Sequence, residues 1–509
     1  MKAVIIGSGI SGLTAAAALA QAGYEVTVME QNSKPGGVTA SYEQSGYRWD
    51  LGQLLIEGLG PDEPGGEILA KLGVLDKIQV RVDDRGYVFP DFELRKPQEY
   101  QGILWRINLL KGLFPGDVKG LDLYWQDNLC FTRAMTLARR MEKARGLEGL
   151  WVKARFYLAL LPLLPKKDWN AQQLMDHFFH SDKLKAVFTS ILADFFTPPS
   201  QFIGLGVFAL NSEATFEKRM PRALAKDAEQ LYHYSILGGI GKLIKALVAR
   251  IEELGGRVLT NCTVSKILVE NGRVAGVSDE SGQRTPADVV VASGGVKETF
   301  LEMVGAEHLP ADFVQKVGQV PLMDSVFMLH LGLDYDPSPY VHGVCTYYYG
   351  TYDVEGEVKR GKEGFYHEGQ SGFVVHVPSL HTPEMAPTGC HAMTVYTICP
   401  DQLKEGNWEE EKERLADALI GYAEKYLPGL SQHILTRVIL TPVEFRQITH
   451  TRHFAFGGIS PVVGAWQAPH QTPVQGLWFV GQQSQSGGGV RAVLSAAYKT
   501  AMRIIGSTG

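Results

Sequence analysis

The chain has 509 residues, 45% of them hydrophobic and 20% charged, which predicts a packed core spread over two or three domain-sized units and excludes disorder. A net charge of -6, with no basic tail and no nucleic-acid motif, argues against nucleic acid as a partner. Cys130, Cys262, Cys345, Cys390 and Cys399 are scattered and form no C-x-x-C pair, so a reducing, cytoplasmic compartment and no disulfide framework are expected. The chain opens directly in a strand, so no signal peptide is expected, and no apolar run approaches the ~20 residues of a spanning helix.

In chain order, the first element is a strand, Ala3-Val4-Ile5-Ile6, followed by Gly7-Ser8-Gly9-Ile10-Ser11-Gly12 and an alanine-rich helix. A second strand, Glu25 to Met29, ends on Glu30. Strand, glycine turn, helix and acid in this order form a dinucleotide-binding fingerprint. Gly7 permits the tight turn, Gly9 lets the backbone approach a pyrophosphate, and Gly12 lets helix and strand pack closely. The helix N-terminus, with Ser11 in its first turn, faces the phosphates with unpaired N–H groups and a positive dipole end. Glu30 stands at the offset where a carboxylate accepts hydrogen bonds from the adenosine ribose. The competing reading is a glycine turn without a ligand. NAD and FAD share the ADP half, so the fingerprint leaves both open. Gln31 to Val38 then carry the pair Gly36-Gly37, which lets a second loop lie against the dinucleotide, and Trp49-Asp50-Leu51-Gly52 form an acid-x-glycine step.

Residues 96–224 are mainly helical by pattern. Within them, 139–167 hold eight basic residues against Glu142 and Glu148, interleaved with Leu147, Leu150, Trp151 and the run Phe156 to Leu164. Apolar residues, a tryptophan and flanking cations predict an interfacial helix that lies on an anionic membrane without crossing it. Ile103-Leu104-Trp105 and Leu109 to Phe114 have a similar character. The competing reading is a lid helix with solvated charges. His177 and His180 are spaced to share a helix face but have two phenylalanines between them and no carboxylate partner, so core packing or a cavity edge is expected and no metal site. Asp194 to Pro199 read as a helix end entering a turn that lines a substrate slot. Residues 301–439 predict a strand at Ser325 to Leu333, an aromatic stretch at Thr346 to Tyr349, a charged turn at Asp353 to Gly364, strands at Gly372 to Val377 and Ala392 to Ile398, and a helix at Trp408 to Tyr426.

Two further segments complete the pattern. Gly238 to Gly294 hold G-G-I-G-K-L, a helix, Val264 to Ile267, a run of valines and Ser293-Gly294. The last, Gly476 to Val490, reads G-L-W-F-V-G-Q-Q-S-Q-S-G-G-G-V before a final helix. With the N-terminal motifs, these resemble the FAD enzymes that include phytoene desaturases, carotenoid isomerases, retinol saturases and amine oxidases, over nearly the whole chain. The resemblance implies an α/β fold with a Rossmann-like FAD-binding domain from 1–95, 225–300 and 440–509. It also implies a discontinuous α+β substrate domain: the 96–224 helical, membrane-facing insert and the 301–439 mixed sheet. It implies that backbone near Val264 meets the adenine, that Gly481 and Gln482 end a strand beside the cofactor, and that Gly488, Gly489 and Val490 start a helix near the isoalloxazine ring. Three positions depart from the family pattern: Gln482 where an acid is usual, Ser486 where a proline is usual, and Val38 where desaturases and amine oxidases usually carry arginine.

The expected function is FAD-dependent oxidoreduction of a long apolar isoprenoid or polyene, by desaturation, isomerisation or saturation with hydride and proton transfer at flavin N5. The alternatives are a saturase or amine-oxidase-like flavoenzyme on another small lipid or amine, and a non-enzymatic prenyl-binding protein of the GDP dissociation inhibitor type. Catalytic candidates lie in the stretch that passes near the flavin in this family: Arg446, His450 and His453. The substrate slot is expected to be apolar with few charges.

Overall fold

The computed structural model describes residues 1–52, 55–217, 219 and 231–508. The chain begins with β1 (Lys2–Ile6), α1 (Ile10–Gln21) and β2 (Glu25–Met29). Small side chains let α1 lie close on the sheet, and eleven of its twelve residues are buried. A hairpin of Ser41–Gln44 and Tyr47–Asp50 follows, then β3 (Arg85–Val88) and β4 (Glu93–Leu94). Helices α2 (Val118–Lys143), α3 (Gly146–Leu160) and α4 (Ala171–Phe178) dominate the next stretch. The boundary expected at 224–225 lies outside the described residues. Next come α5 (Gly241–Glu253), β5 (Arg257–Leu259) and β6 (Val289–Ala292). The following region holds β7 (Ser325–Leu333), β8 (Cys345–Tyr349), α6 (Val354–Lys362), β9 (Gly372–His376), β10 (His391–Cys399), α7 (Trp408–Ala423), β11 (Ile434–Leu440) and α8 (Pro442–Thr449). β12 (Leu477–Phe479) and α9 (Val490–Thr508) close the chain.

Two sheets organise these elements. The first runs β5-β2-β1-β6-β12, with every neighbour parallel. Its central strands are covered on both faces, which is why they read as unbroken apolar runs. Helices α1, α5 and α9 share one core on one side. A small antiparallel sheet (Val264–Glu270, Arg273–Asp279, Arg284–Pro286) contributes to the core on the other. The second sheet runs β11-β7-β10-β9-β8-β3-β4 and is antiparallel except where β8 meets β3. α7 packs into one of its cores, and the helical insert into the other. β3 and β4, which fall inside the first nucleotide-binding segment as drawn from the sequence, pair into this second sheet.

The structure corrects two sequence expectations. The charged turn at 353–364 is mostly helix α6. Asp353 caps it by accepting from the Gly356 N–H at 2.8 Å, and the pairs Glu355–Lys359 and Glu357–Arg360 sit at helical spacing while Val354 and Val358 are buried. His177 and His180 do not share a helix, because α4 ends at Phe178, and His180 has a carboxylate partner, its Nδ1 lying 3.1 Å from Asp117. Among the described residues no helix is long and apolar enough to cross a membrane.

Candidate active site

A cavity of about 650 Å³ opens at the carboxyl ends of β1, β2, β6 and β12, where open parallel sheets place their ligands. It continues into a chamber beneath the second sheet. At its first end the wall is the N-terminal turn, Gly7, Gly9 and Ser11, with Glu30 and Gln31 at the end of β2 and Gly36, Gly37 and Val38 from the second loop. Cys262 to Ser265, with Val264 among them, and Ser293 and Gly294 add to the same wall. Gly12 is not part of the wall. A Cβ there would stand 2.1 Å from the Gly7 carbonyl oxygen, so its place is in the helix–strand contact.

The donor set here suits a dinucleotide. The N-cap of α1 is Gly9, and no side chain caps the first turn, so the leading N–H groups stay available at the cavity wall. Glu30 is buried and held in place: Oε2 accepts from the Ser8 N–H at 2.9 Å and the Ser8 hydroxyl at 2.5 Å, and Oε1 from the Asn32 N–H at 2.8 Å. Asn32 Nδ2 also donates to Oε1 at 2.9 Å, so donors of the chain occupy the carboxylate's acceptor sites, and a ribose hydroxyl would bind there by displacing Ser8 Oγ or the Asn32 amide. The glycine backbone at Gly9 and Gly37 leaves open space where side chains would otherwise stand.

Asp50, the acid of the 49–52 step, does not line the cavity. Its carboxylate accepts from the Ile240 N–H at 2.9 Å and from Ser41 Oγ at 3.3 Å, at the start of α5. Burial pushes its pKa up to about 7 against both hydrogen bonds.

The closing motif supplies Gly481, Gln482, Gly488, Gly489 and Val490 to the wall. Gln482 donates from Nε2 to the Ala455 carbonyl at 2.9 Å, which ties this motif to the loop after α8. Ser486, in the place where the family usually has proline, fixes the turn by hydrogen bonding: its hydroxyl donates to the Gly481 carbonyl at 3.0 Å, beside Ser484 at 2.7 Å. A Cβ on Gly488 would lie 2.1 Å from the Gly457 carbonyl oxygen, so this glycine lets the two loops meet.

The structure separates the three catalytic candidates. His450, the residue that follows α8, adopts a left-handed conformation (φ 49°) and lines the cavity. Arg446 does not line it and instead pairs with Asp401 at 2.7 Å. His453 also lies away from it, with Nε2 2.7 Å from the Met323 carbonyl. Asp401 accepts the Phe454 N–H as well, so these groups together hold the loop that presents His450, Phe454 and Phe456.

The chamber is lined by Leu55, Ile191, Phe195, Leu210, Phe454 and Phe456, and by a polar group, Arg85, Asp194, Tyr347 and Tyr396. Asp194 and Phe195 come from the turn expected to line the slot, but the charges do not fit a purely apolar slot. Sequence reading missed Arg85 and Tyr396. Arg85 stands opposite Cys345 and Tyr87 opposite Tyr347, while Tyr396 and Tyr347 both pair with Val374. Period-two spacing in Arg85-x-Tyr87 and Cys345-x-Tyr347 signals a shared face, yet only the strand pairing brings those faces together.

The family model described as flavin containing amine oxidoreductase matches residues 10–505. The chain is 25% identical to the lycopene-forming phytoene desaturase of Pantoea ananas, over 98% of this chain and 97% of that protein. It is also 25% identical to the chloroplastic prolycopene isomerase 1 of an Oncidium hybrid cultivar, over 100% of this chain and 84% of that protein. In fold it is similar to the crystal structure of an oxidoreductase from Methanosarcina mazei, with a TM-score of 0.62 at 18% identity, covering 99% of this chain and 100% of that one. The chain therefore belongs to the flavin-containing amine oxidoreductase family and is an FAD-dependent oxidoreductase.

Proposed function

We propose that this enzyme acts on a long apolar isoprenoid, changing its unsaturation or its double-bond geometry. The observation that carries this reading is one continuous cavity, running from the glycine motifs into a chamber walled by Leu55, Ile191, Phe195, Leu210, Phe454 and Phe456. Two relatives named as carotenoid enzymes support the substrate class.

In this reading Gly7, Gly9, Ser11 and Glu30 hold the ADP half, Val264 faces the adenine, and Gly36 to Val38 close over the pyrophosphate. Gly481, Gln482 and Gly488 to Val490 hold the flavin half. Bound FAD supplies hydride chemistry at N5. The chain supplies water exclusion through the phenylalanines, and His450 is the cavity-lining group placed to hold or move a proton. The first sheet and its covering elements form the FAD-binding unit, the second sheet and the helical insert form the substrate unit, and the 139–167 segment rests on the lipid that holds the substrate.

The test is an anaerobic panel of polyenes in liposomes against a panel of amines, with the flavin band and product spectra recorded. We expect polyene-dependent change in the flavin spectrum or in polyene absorption. Flavin reduction by an amine, with every polyene inert, would overturn the reading.

A further inference from the structure

The polar group in the chamber has no place in a slot for a plain hydrocarbon. Arg85 lines the cavity, and its guanidinium lies 5.9 Å from the Tyr87 ring and 5.8 Å from the Phe216 ring. Among the described residues it has no carboxylate at ion-pairing distance. Arg106 shows the satisfied arrangement nearby. It is buried, pairs with Glu213 at 2.7 Å, bonds to Asn211 at 3.3 Å, and packs on the same Phe216 ring at 4.1 Å.

An arginine cannot shed its charge, and a cation removed from bulk water without an anion is costly. Asp194 is the nearby acid, and it does not fully neutralise the site. Burial pushes its pKa up to about 7 against the pull of Arg85 and Tyr396, so near neutral pH much of it is uncharged carboxyl. The chamber thus holds a permanent cation, a carboxyl group that can donate a proton to a hydrogen bond, and the hydroxyls of Tyr347 and Tyr396. The Tyr349 hydroxyl, buried in an adjoining small cavity that shares Asp194, Tyr347 and Tyr396, has no partner. The Tyr396 hydroxyl is engaged with Asp194, which leaves the Arg85 guanidinium and the Tyr349 hydroxyl as unpaired donors.

We infer that Arg85 selects a substrate whose apolar chain ends in a carboxylate, with Asp194 and the tyrosines completing the seat. The planar guanidinium fork matches two carboxylate oxygens, and the surrounding rings exclude competing water. The inference rests on the apolar-isoprenoid reading and sharpens it from hydrocarbon to polyene acid.

The test uses the flavin-loaded full chain and three probes: all-trans-retinoic acid, its methyl ester, and octanoate. Binding is measured by equilibrium titration for the wild type, Arg85→Met and Arg85→Lys, with flavin content checked for each. The wild type should bind the acid about tenfold more tightly than the ester. Arg85→Met should equalise the two by weakening the acid alone, and Arg85→Lys should keep part of the preference. Equal binding of acid and ester by the wild type overturns the inference and leaves the apolar-substrate reading standing. So does an acid preference that survives in Arg85→Met. If octanoate binds through Arg85 while neither retinoid binds, the anion seat stands and the polyene reading falls. Flavin loss in both arginine variants would assign Arg85 to the cofactor and overturn the inference.

Discussion

Helices α1 and α3 are both rich in apolar residues, yet the fold treats them in opposite ways. In α1 eleven of twelve residues are buried under the parallel sheet and its partner helices. In α3, of fifteen residues, Val152 is the buried one. Leu147 is 85% exposed and Leu158 is 64% exposed, with Leu150, Trp151 and Tyr157 alongside. The charge pattern separates them. α1 carries no charged side chain, whereas α3 follows Lys143 and Arg145, contains Lys153 and Arg155, and stacks Arg155 over the Trp151 ring at 4.4 Å. An apolar run states that a segment favours burial; its charged flanks state whether the protein interior or an outside surface provides it.

The largest expected effect is on the buried helix. Gly12→Val places a branched side chain against the Gly7 carbonyl, 2.1 Å from the Cβ, and no flexible group there can yield. The cost should exceed about 4 kcal/mol, seen as loss of soluble protein or of bound flavin. The comparable branching at Ala154→Val, two carbons added in place of three and exposed on α3, should cost about 0.5 kcal/mol through helix propensity alone. Similar melting curves and flavin content for the two variants would erase the contrast between the helices.

The exposed helix should show its effect elsewhere. Replacing Leu147, Leu150, Trp151 and Leu158 together with serine should leave flavin content and melting temperature nearly unchanged. It should abolish sedimentation with vesicles of phosphatidylserine and phosphatidylcholine. Wild-type binding should weaken as salt rises, because the basic flank contributes about 1 kcal/mol per residue near an anionic surface. Equal sedimentation of the two proteins would remove the membrane role. A large fall in melting temperature would instead mean that protein covers this face.

The same contrast explains what could be read in advance. The fingerprint was legible because a glycine turn, an apolar strand and an alanine helix constrain one another locally, and Ser325 to Leu333 was legible because a nine-residue run, mostly apolar apart from Ser325 and His330, reads as a buried strand. The α6 helix was missed because its stabilisers are charged pairs and a cap, which in sequence resemble a solvated turn. The end of α4 at Phe178 was missed for lack of a proline or glycine to mark it, and that placed His180 on the wrong face. Arg85 was not legible as a cavity residue at all. Its position depends on β3, from the first hundred residues, pairing in parallel with β8, some 260 residues later. Nothing local to either strand encodes that pairing.

The smallest effect expected sharpens the comparison for charge. Asp50 belongs to the buried side, where burial holds its pKa up to about 7, well above the usual aspartate value of about 3.9. Between those values the folded chain keeps a proton that the unfolded chain has released, so the contribution of this group to stability declines as pH rises from about 4 to about 7 and is flat above that. Asp50→Asn can still accept the Ile240 N–H through its side-chain carbonyl and has no charge to desolvate. Its melting temperature relative to wild type should therefore rise between pH 5 and pH 8, by about 2 °C in a chain of this length. Parallel pH profiles for wild type and Asp50→Asn would show that the Asp50 carboxylate is hydrated in solution, and the hairpin that carries it would then be less tightly closed on α5 than the 2.9 Å hydrogen bond indicates.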